Sequence, residues 1–284
     1  MHLLRRAALA SILIVLVASA YTSSRPRPST TPTITDPSVT LPPAASPSSA
    51  SARGKPNFII FLSDDQAVHL FNRQLMPHVF SQLVDRGVNF TRAYVNVSLC
   101  CPSRASILTG LYSHNTGVQD NAHPLDGQTP LRPNFAQALH DAGYRTMMDG
   151  KYLNSEKCDP QPGWDQWICG QEGNKNLQKH PPKFDGIDPT FNVDGQDTSF
   201  TGYTNDILAS YAVRFIQQNQ DADHPFLLYF APHSPHALQD QTRYDPRYAS
   251  MPVPEYNPPS FNAQPDPASL PKWVQRSPLS PSSR

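Results

Sequence analysis

Proline decides which part of this chain can fold. Of 31 prolines in 284 residues, eight lie between Pro26 and Pro56 and nine between Pro252 and Pro281. Proline fixes φ and lacks a backbone donor, so segments this rich in it build neither helix nor sheet interiors. The stretch 57–251 between them has ordinary composition and is long enough for one domain with a sizeable core. Basic and acidic side chains balance at 23 each. Neither nucleic acid nor an acidic membrane surface is therefore an expected partner.

The ends read as processing and linker segments. Arg5 and Arg6 precede an apolar run at 7–17 and the small-residue site Ala18-Ser19-Ala20, the pattern of a secretory signal peptide over 1–20. The run falls short of the ~18–20 residues that span a bilayer, so no stable membrane span is expected. The mature protein is expected to be secreted, periplasmic or otherwise extracellular. Residues 21–56, rich in Ser, Thr, Pro and Ala, read as a flexible linker, and 252–284 as a proline-rich tail. Asn89-Phe90-Thr91 and Asn96-Val97-Ser98 are glycosylation sequons. Outside the cell Cys158 and Cys169, separated by a short polar loop, are expected to pair as a disulfide. The adjacent Cys100 and Cys101 need another explanation.

The middle alternates strands and helices. Phe58-Ile59-Ile60-Phe61-Leu62 is a continuous apolar run, as in a central strand buried on both faces. Met76, Val79, Phe80, Leu83 and Val84 follow helical spacing, with Pro77 near the start and Gly87 at the stop, and a strand over 88–95 is expected next. Asn134 caps a helix with Phe135, Ala138, Leu139 and Ala142 on one face, ended by Gly143 before a strand at 144–148. A helix over 206–218, with Ile207, Leu208, Tyr211, Phe215 and Ile216 inward, precedes a strand at 226–230. This order implies a layered α/β fold with ligands bound at loops beyond strand ends. Asp64 and Asp65, Lys151 and His233 all fall in such loops.

Two consecutive carboxylates after a buried strand repel each other and lose water, so a hard divalent cation fits beside them; an isolated Asp-Asp serves equally well to cap a loop. Cys100-Cys101-Pro102-Ser103-Arg104 opens a helix running through Leu108, with Pro102 in its first turn and Gly110 after it. Exposed amides at that helix start would favour an anion beside Cys100. A buried cysteine pair is the plainer reading of the dipeptide, but it leaves the Pro and Arg unexplained.

Cys100-Cys101-Pro102-Ser103-Arg104, followed by Leu108-Thr109-Gly110-Leu111-Tyr112-Ser113-His114, resembles the sulfatase signature Cys-x-Pro-Ser-Arg with its Thr-Gly element. The resemblance extends from Asn57 through Gly150-Lys151-Tyr152-Leu153-Asn154 to Pro232-His233-Ser234-Pro235-His236. Gly163-Trp164-Asp165-Gln166-Trp167 is similar to the subgroup of N-acetylglucosamine-6-sulfatases and heparan sulfate endosulfatases. The resemblance implies an alkaline-phosphatase-like α/β/α sandwich around a mostly parallel mixed sheet. It implies hydrolysis of sulfate esters of sugars, with aryl sulfates as convenient surrogates. Cys100 would be oxidised by a formylglycine-generating enzyme to an aldehyde that hydrates to a geminal diol. One hydroxyl attacks sulfur and the second lets the covalent sulfate leave, a second step that plain cysteine or serine lacks. Asp64, Asp65 and the modified residue 100 would ligate calcium. Arg104 would hold the diol and Lys151 would offset charge on the sulfate. His233 would contact sulfate or protonate the leaving group, and His236 and His114 would contact substrate. Cys101, at the variable motif position, would be structural.

Two departures from the family pattern stand out. Leu153 occupies a position where many members carry a histidine, and no Ser-Asp-x-Gly segment with further calcium ligands follows His236. The expectation is a fold incomplete at its C-terminus. A second reading is a truncated remnant that is inactive or binds sulfated glycans weakly. A phosphodiesterase of the same superfamily is a third, disfavoured because those enzymes use Thr or Ser as nucleophile.

Overall fold

The computed structural model describes residues 54–121, 131, 134–154, 158–170, 186–236 and 245–250. The expected leader, the linker up to residue 53 and the tail from residue 251 lie outside the described residues. The sheet and helices described here all belong to one compact unit that runs to Pro246; residues 247–250 belong to a second.

Six strands form one sheet: β1 (Phe58–Phe61), β2 (Arg145–Gly150), β3 (Gln166–Cys169), β4 (Thr190–Val193), β5 (Gln196–Ser199) and β6 (Phe226–Ala231), in the order β1-β6-β2-β3-β4-β5. β1, β6, β2 and β3 run parallel, while β4 and β5 add antiparallel. The helices are α1 (Pro77–Gln82), α2 (Cys100–Thr109), α3 (Ser113–Thr116), α4 (Phe135–Asp141) and α5 (Thr204–Asn219). β6 lies between two neighbours, and all six of its residues are buried. Side chains alternate along a strand, so Met147 and Met148 of β2 enter different cores. Met147 joins Ile168, Leu228 and Phe230 against Leu208 and Phe215 of α5. Met148 joins Tyr229, Trp167 and Cys169 against Ala105 and Leu108 of α2. Helices therefore cover both faces, as the alternating sequence implies. Cys158 and Cys169 form the expected disulfide. Among the described residues no helix is long and apolar enough to cross a membrane.

The sheet differs from the sequence expectation at one edge. β1 is an edge strand and only partly buried, with Phe61 36% exposed. Its apolar run marks a strand that could be covered on two faces, but its place in the order is set by which neighbour pairs with it. Residues 88–95 form no strand, and Val88, Phe90 and Tyr94 are each more than three-quarters exposed. A β-prone segment becomes a strand only beside an edge that satisfies its amides, and this one pairs with no described strand.

Two helical faces shift as well. α1 stops at Gln82, a separate turn covers Val84–Arg86, and neither element contains a fully buried residue. In α4 the fully buried residue is Ala136, while Ala138 is exposed. Gly163, at φ 90°, lies so close to the Gln137 backbone that a Cβ there would collide with it, which draws that side of the helix inward. The β4–β5 hairpin gives little sequence signal in its strands, which are four residues each and largely polar. Its two-residue turn, Asp194-Gly195 with φ of 48° and 92°, is the sequence signal that marks it.

Candidate active site

Because β1, β6 and β2 are parallel neighbours, the residues that follow them emerge at one end of the sheet. Asp64 and Asp65 follow β1, His233 and His236 follow β6, and Lys151 follows β2. α2 approaches the same end, with Cys100 in its first turn and Arg104 one turn further along. Leu99, the N-cap, offers no side-chain cap; the Asn121 side chain accepts from the Cys101 amide at 2.9 Å instead. No local spacing marks Asn121, since it lies 20 residues away from the amide it caps.

Asp64 is the centre of the charges. Its Oδ2 accepts from Lys151 Nζ at 2.5 Å and lies 3.6 Å from both Arg104 Nη2 and His233 Nε2. Arg104 also donates to the Lys151 carbonyl at 2.6 Å, so α2 and the end of β2 are tied together. All four residues are buried, at 5% exposure or less. Burial alone would push the Asp64 carboxyl up, but Arg104 and Lys151, helped by His233, outweigh it and hold it below the usual carboxylate range. Asp65 sits outside this network in a left-handed backbone conformation, φ 51°, with His236 Nε2 3.4 Å from its Oδ2.

The two adjacent cysteines have different surroundings. Cys101 is fully buried, its Sγ directed to the Asn154 carbonyl at 3.7 Å, whereas Cys100 is half-buried and lines a cavity of about 310 Å³. Burial raises the Cys100 thiol pKa; Lys151 pulls it down, while Asp64 and Asp65 raise it further. Asp64, Asp65 and Arg104 line the same cavity, and Tyr94 and Tyr112 flank it as exposed aromatic rings. His114 lies outside the charged cluster, exposed on α3, with its ring stacked on Tyr112 at 5.9 Å. Leu153 packs in the core.

Among the described residues, possible metal-ligating atoms gather in two sets that share His236: Asp64, His233 and His236 in one, Asp65, Cys100 and His236 in the other. Asp64, Asp65 and Cys100, the ligands that the sequence implies for calcium, are divided between them. The two carboxylates fit a hard cation by donor chemistry. One buried acid has no counterpart in the sequence reading. Asp149 of β2 is fully buried, neither of its oxygens has a hydrogen-bond partner, and burial pushes its carboxyl well above the usual range.

Residues 56–258 match the family model described as Sulfatase. The chain belongs to the sulfatase family. Relatives include the N-acetylglucosamine-6-O-sulfatase of Bacteroides thetaiotaomicron, 34% identical over 71% of this chain and 36% of the relative. The extracellular sulfatase SULF-1 homolog of Drosophila melanogaster is 31% identical over 81% of this chain and 20% of the relative. A solved structure in complex with its substrate D-glucosamine-2-N,6-O-disulfate superposes with TM-score 0.52 at 29% identity, covering 64% of this chain and 35% of the other. The sulfatase therefore has the alkaline-phosphatase-like α/β architecture that its sequence implies. It spans between a fifth and just over a third of the length of these relatives.

Proposed function

We propose that this sulfatase chain carries the nucleophile and anion-binding part of a sulfuric ester hydrolase. Its substrates would be sulfated sugars of the glucosamine-6-sulfate type, with aryl sulfates as surrogates. The observation that carries this reading is the gathering of Arg104, Lys151 and His233 around Asp64, beside a cysteine that opens on the cavity while its neighbour is sealed. The relatives named for N-acetylglucosamine-6-sulfate and the substrate-bound neighbour support the sugar class.

Formylglycine, made from Cys100 by a dedicated converting enzyme, would supply a nucleophilic hydroxyl that can be regenerated, which a thiol cannot. Asp64, Asp65 and the modified residue 100 would hold calcium, which withdraws charge from the sulfate oxygens. Arg104 fixes the position of residue 100 from one turn along α2, and Lys151 offsets charge developing on the sulfate in surroundings where a fixed cation is strong. His233 hands a proton to the departing alkoxide. His236 and His114 would contact substrate, and Tyr94 and Tyr112, which line the cavity, offer apolar faces to a sugar ring. The signal-like start, together with relatives named as extracellular sulfatases, supports export.

The test is hydrolysis of 4-nitrophenyl sulfate against 4-nitrophenyl phosphate by chain co-produced with a converting enzyme. Sulfate turnover that falls by about 10²–10³ in Lys151→Ala and in Arg104→Ala supports the reading. Faster phosphate turnover, or sulfate turnover unchanged in Cys100→Ala, overturns it.

A further inference from the structure

We propose that the unmodified, thiol form of the chain binds a zinc-class cation through Cys100, Asp65 and His236. The thiol sulfur, one Asp65 oxygen and one His236 ring nitrogen all lie within 4.8 Å of one another. Two nitrogen or oxygen ligands about 2.0–2.1 Å from a tetrahedral zinc stand about 3.3 Å apart; His236 Nε2 and Asp65 Oδ2 are 3.4 Å apart. Thiolate, imidazole and carboxylate together select a borderline cation over calcium, which prefers an all-oxygen set.

Sulfur distinguishes this set from the other: Asp64 Oδ2, which the other set would use with His233 and His236, is bonded to Lys151 and lies 3.6 Å from Arg104, and no sulfur joins it. Asp65 bears no such pairing. Cys100 lies in the first turn of the ten-residue α2 and opens on the cavity. As the sulfur–metal bond forms, the thiol proton passes to water and no electron is transferred. Three protein ligands leave a position open on the cavity side, as in zinc sites that exchange a bound water. The site needs residue 100 as an unmodified thiol, whereas sulfate hydrolysis needs it converted, so the failure of one and the failure of the other would be separate events.

The experiment uses full-length chain from a host without the converting enzyme, titrated with cobalt as a spectroscopic substitute for zinc. The expected result is a thiolate-to-cobalt absorption in the near ultraviolet that zinc displaces and excess calcium does not. It disappears in Cys100→Ser, weakens at least about tenfold in affinity in His236→Gln, and persists in Cys101→Ser. In a second arm, needing no variant, zinc slows alkylation of Cys100 at least about tenfold, read on the Cys100–Cys101 peptide by mass spectrometry. Absence of the band, a band that survives Cys100→Ser, or alkylation indifferent to zinc each overturns the proposal.

Discussion

Asp64 holds two buried cations in place, and the cost of losing it follows from that. Replacing it by Asn leaves Lys151 and Arg104 without their common counter-charge at 3% exposure each. Breaking such a pair by removing one partner costs about 3–5 kcal/mol, and Asp64→Asn should show that loss in urea unfolding. Asp149 works in the opposite direction. The fold keeps its proton, which the unfolded chain releases above a pKa of about 3.9, so the native state binds more protons over that range. Stability contributed through this group is present below the unfolded pKa and falls as pH rises towards the raised folded value, by at most about 1.4 kcal/mol per pH unit. Asp149→Asn should flatten this part of a Tm-against-pH curve. Asp149→Val, which removes both orphaned oxygens, should raise stability at pH 7 by about 1–3 kcal/mol.

At the scale of elements, the end of β2 is where backbone geometry and site meet. Gly150 has φ 113°, and a Cβ there would run into the Ala231 carbonyl, the group that accepts the Lys151 amide at 2.8 Å. Gly150→Ala should therefore cost about 1–3 kcal/mol and displace Lys151, read as lost stability in thermal unfolding together with lost sulfate turnover. Across β3, the Cys158–Cys169 bridge closes a sequence separation of 11. Loop-closure entropy assigns it about 3 kcal/mol, so reduction should lower the unfolding midpoint accordingly. The candidate site residues were legible because each follows a strand or opens a helix: the Asp pair after Phe61, Lys151 after Gly150, and Cys100 before Pro102. Pairing was not legible in the same way. The run at 58–62 reads as a strand, but nothing local says that β6 lies on one side of it and no described strand on the other. Asp149 looks like one polar residue in an apolar strand, and its lack of partners appears only when α5 closes over the sheet. Asn121 is silent for the same reason, since the helix it caps lies 20 residues earlier in the chain.

For the whole molecule, charge is balanced at 23 basic and 23 acidic side chains, so the buried cations around Asp64 are a local feature and not part of a basic surface. Calcium bound as proposed, by Asp64, Asp65 and a modified Cys100, would stabilise the converted chain by mass action, about 2.7 kcal/mol at a hundredfold excess over Kd. Chelation should lower Tm and turnover together, and added calcium should restore both. The claim on which the rest depends is the identity of residue 100. Mass spectrometry of the peptide spanning Cys100, from protein exported by a host that converts other sulfatases and alkylated before digestion, reads it directly. An aldehyde at position 100 beside an alkylated Cys101 is the expected result. Alkylated thiol at both positions in that host would contradict the account.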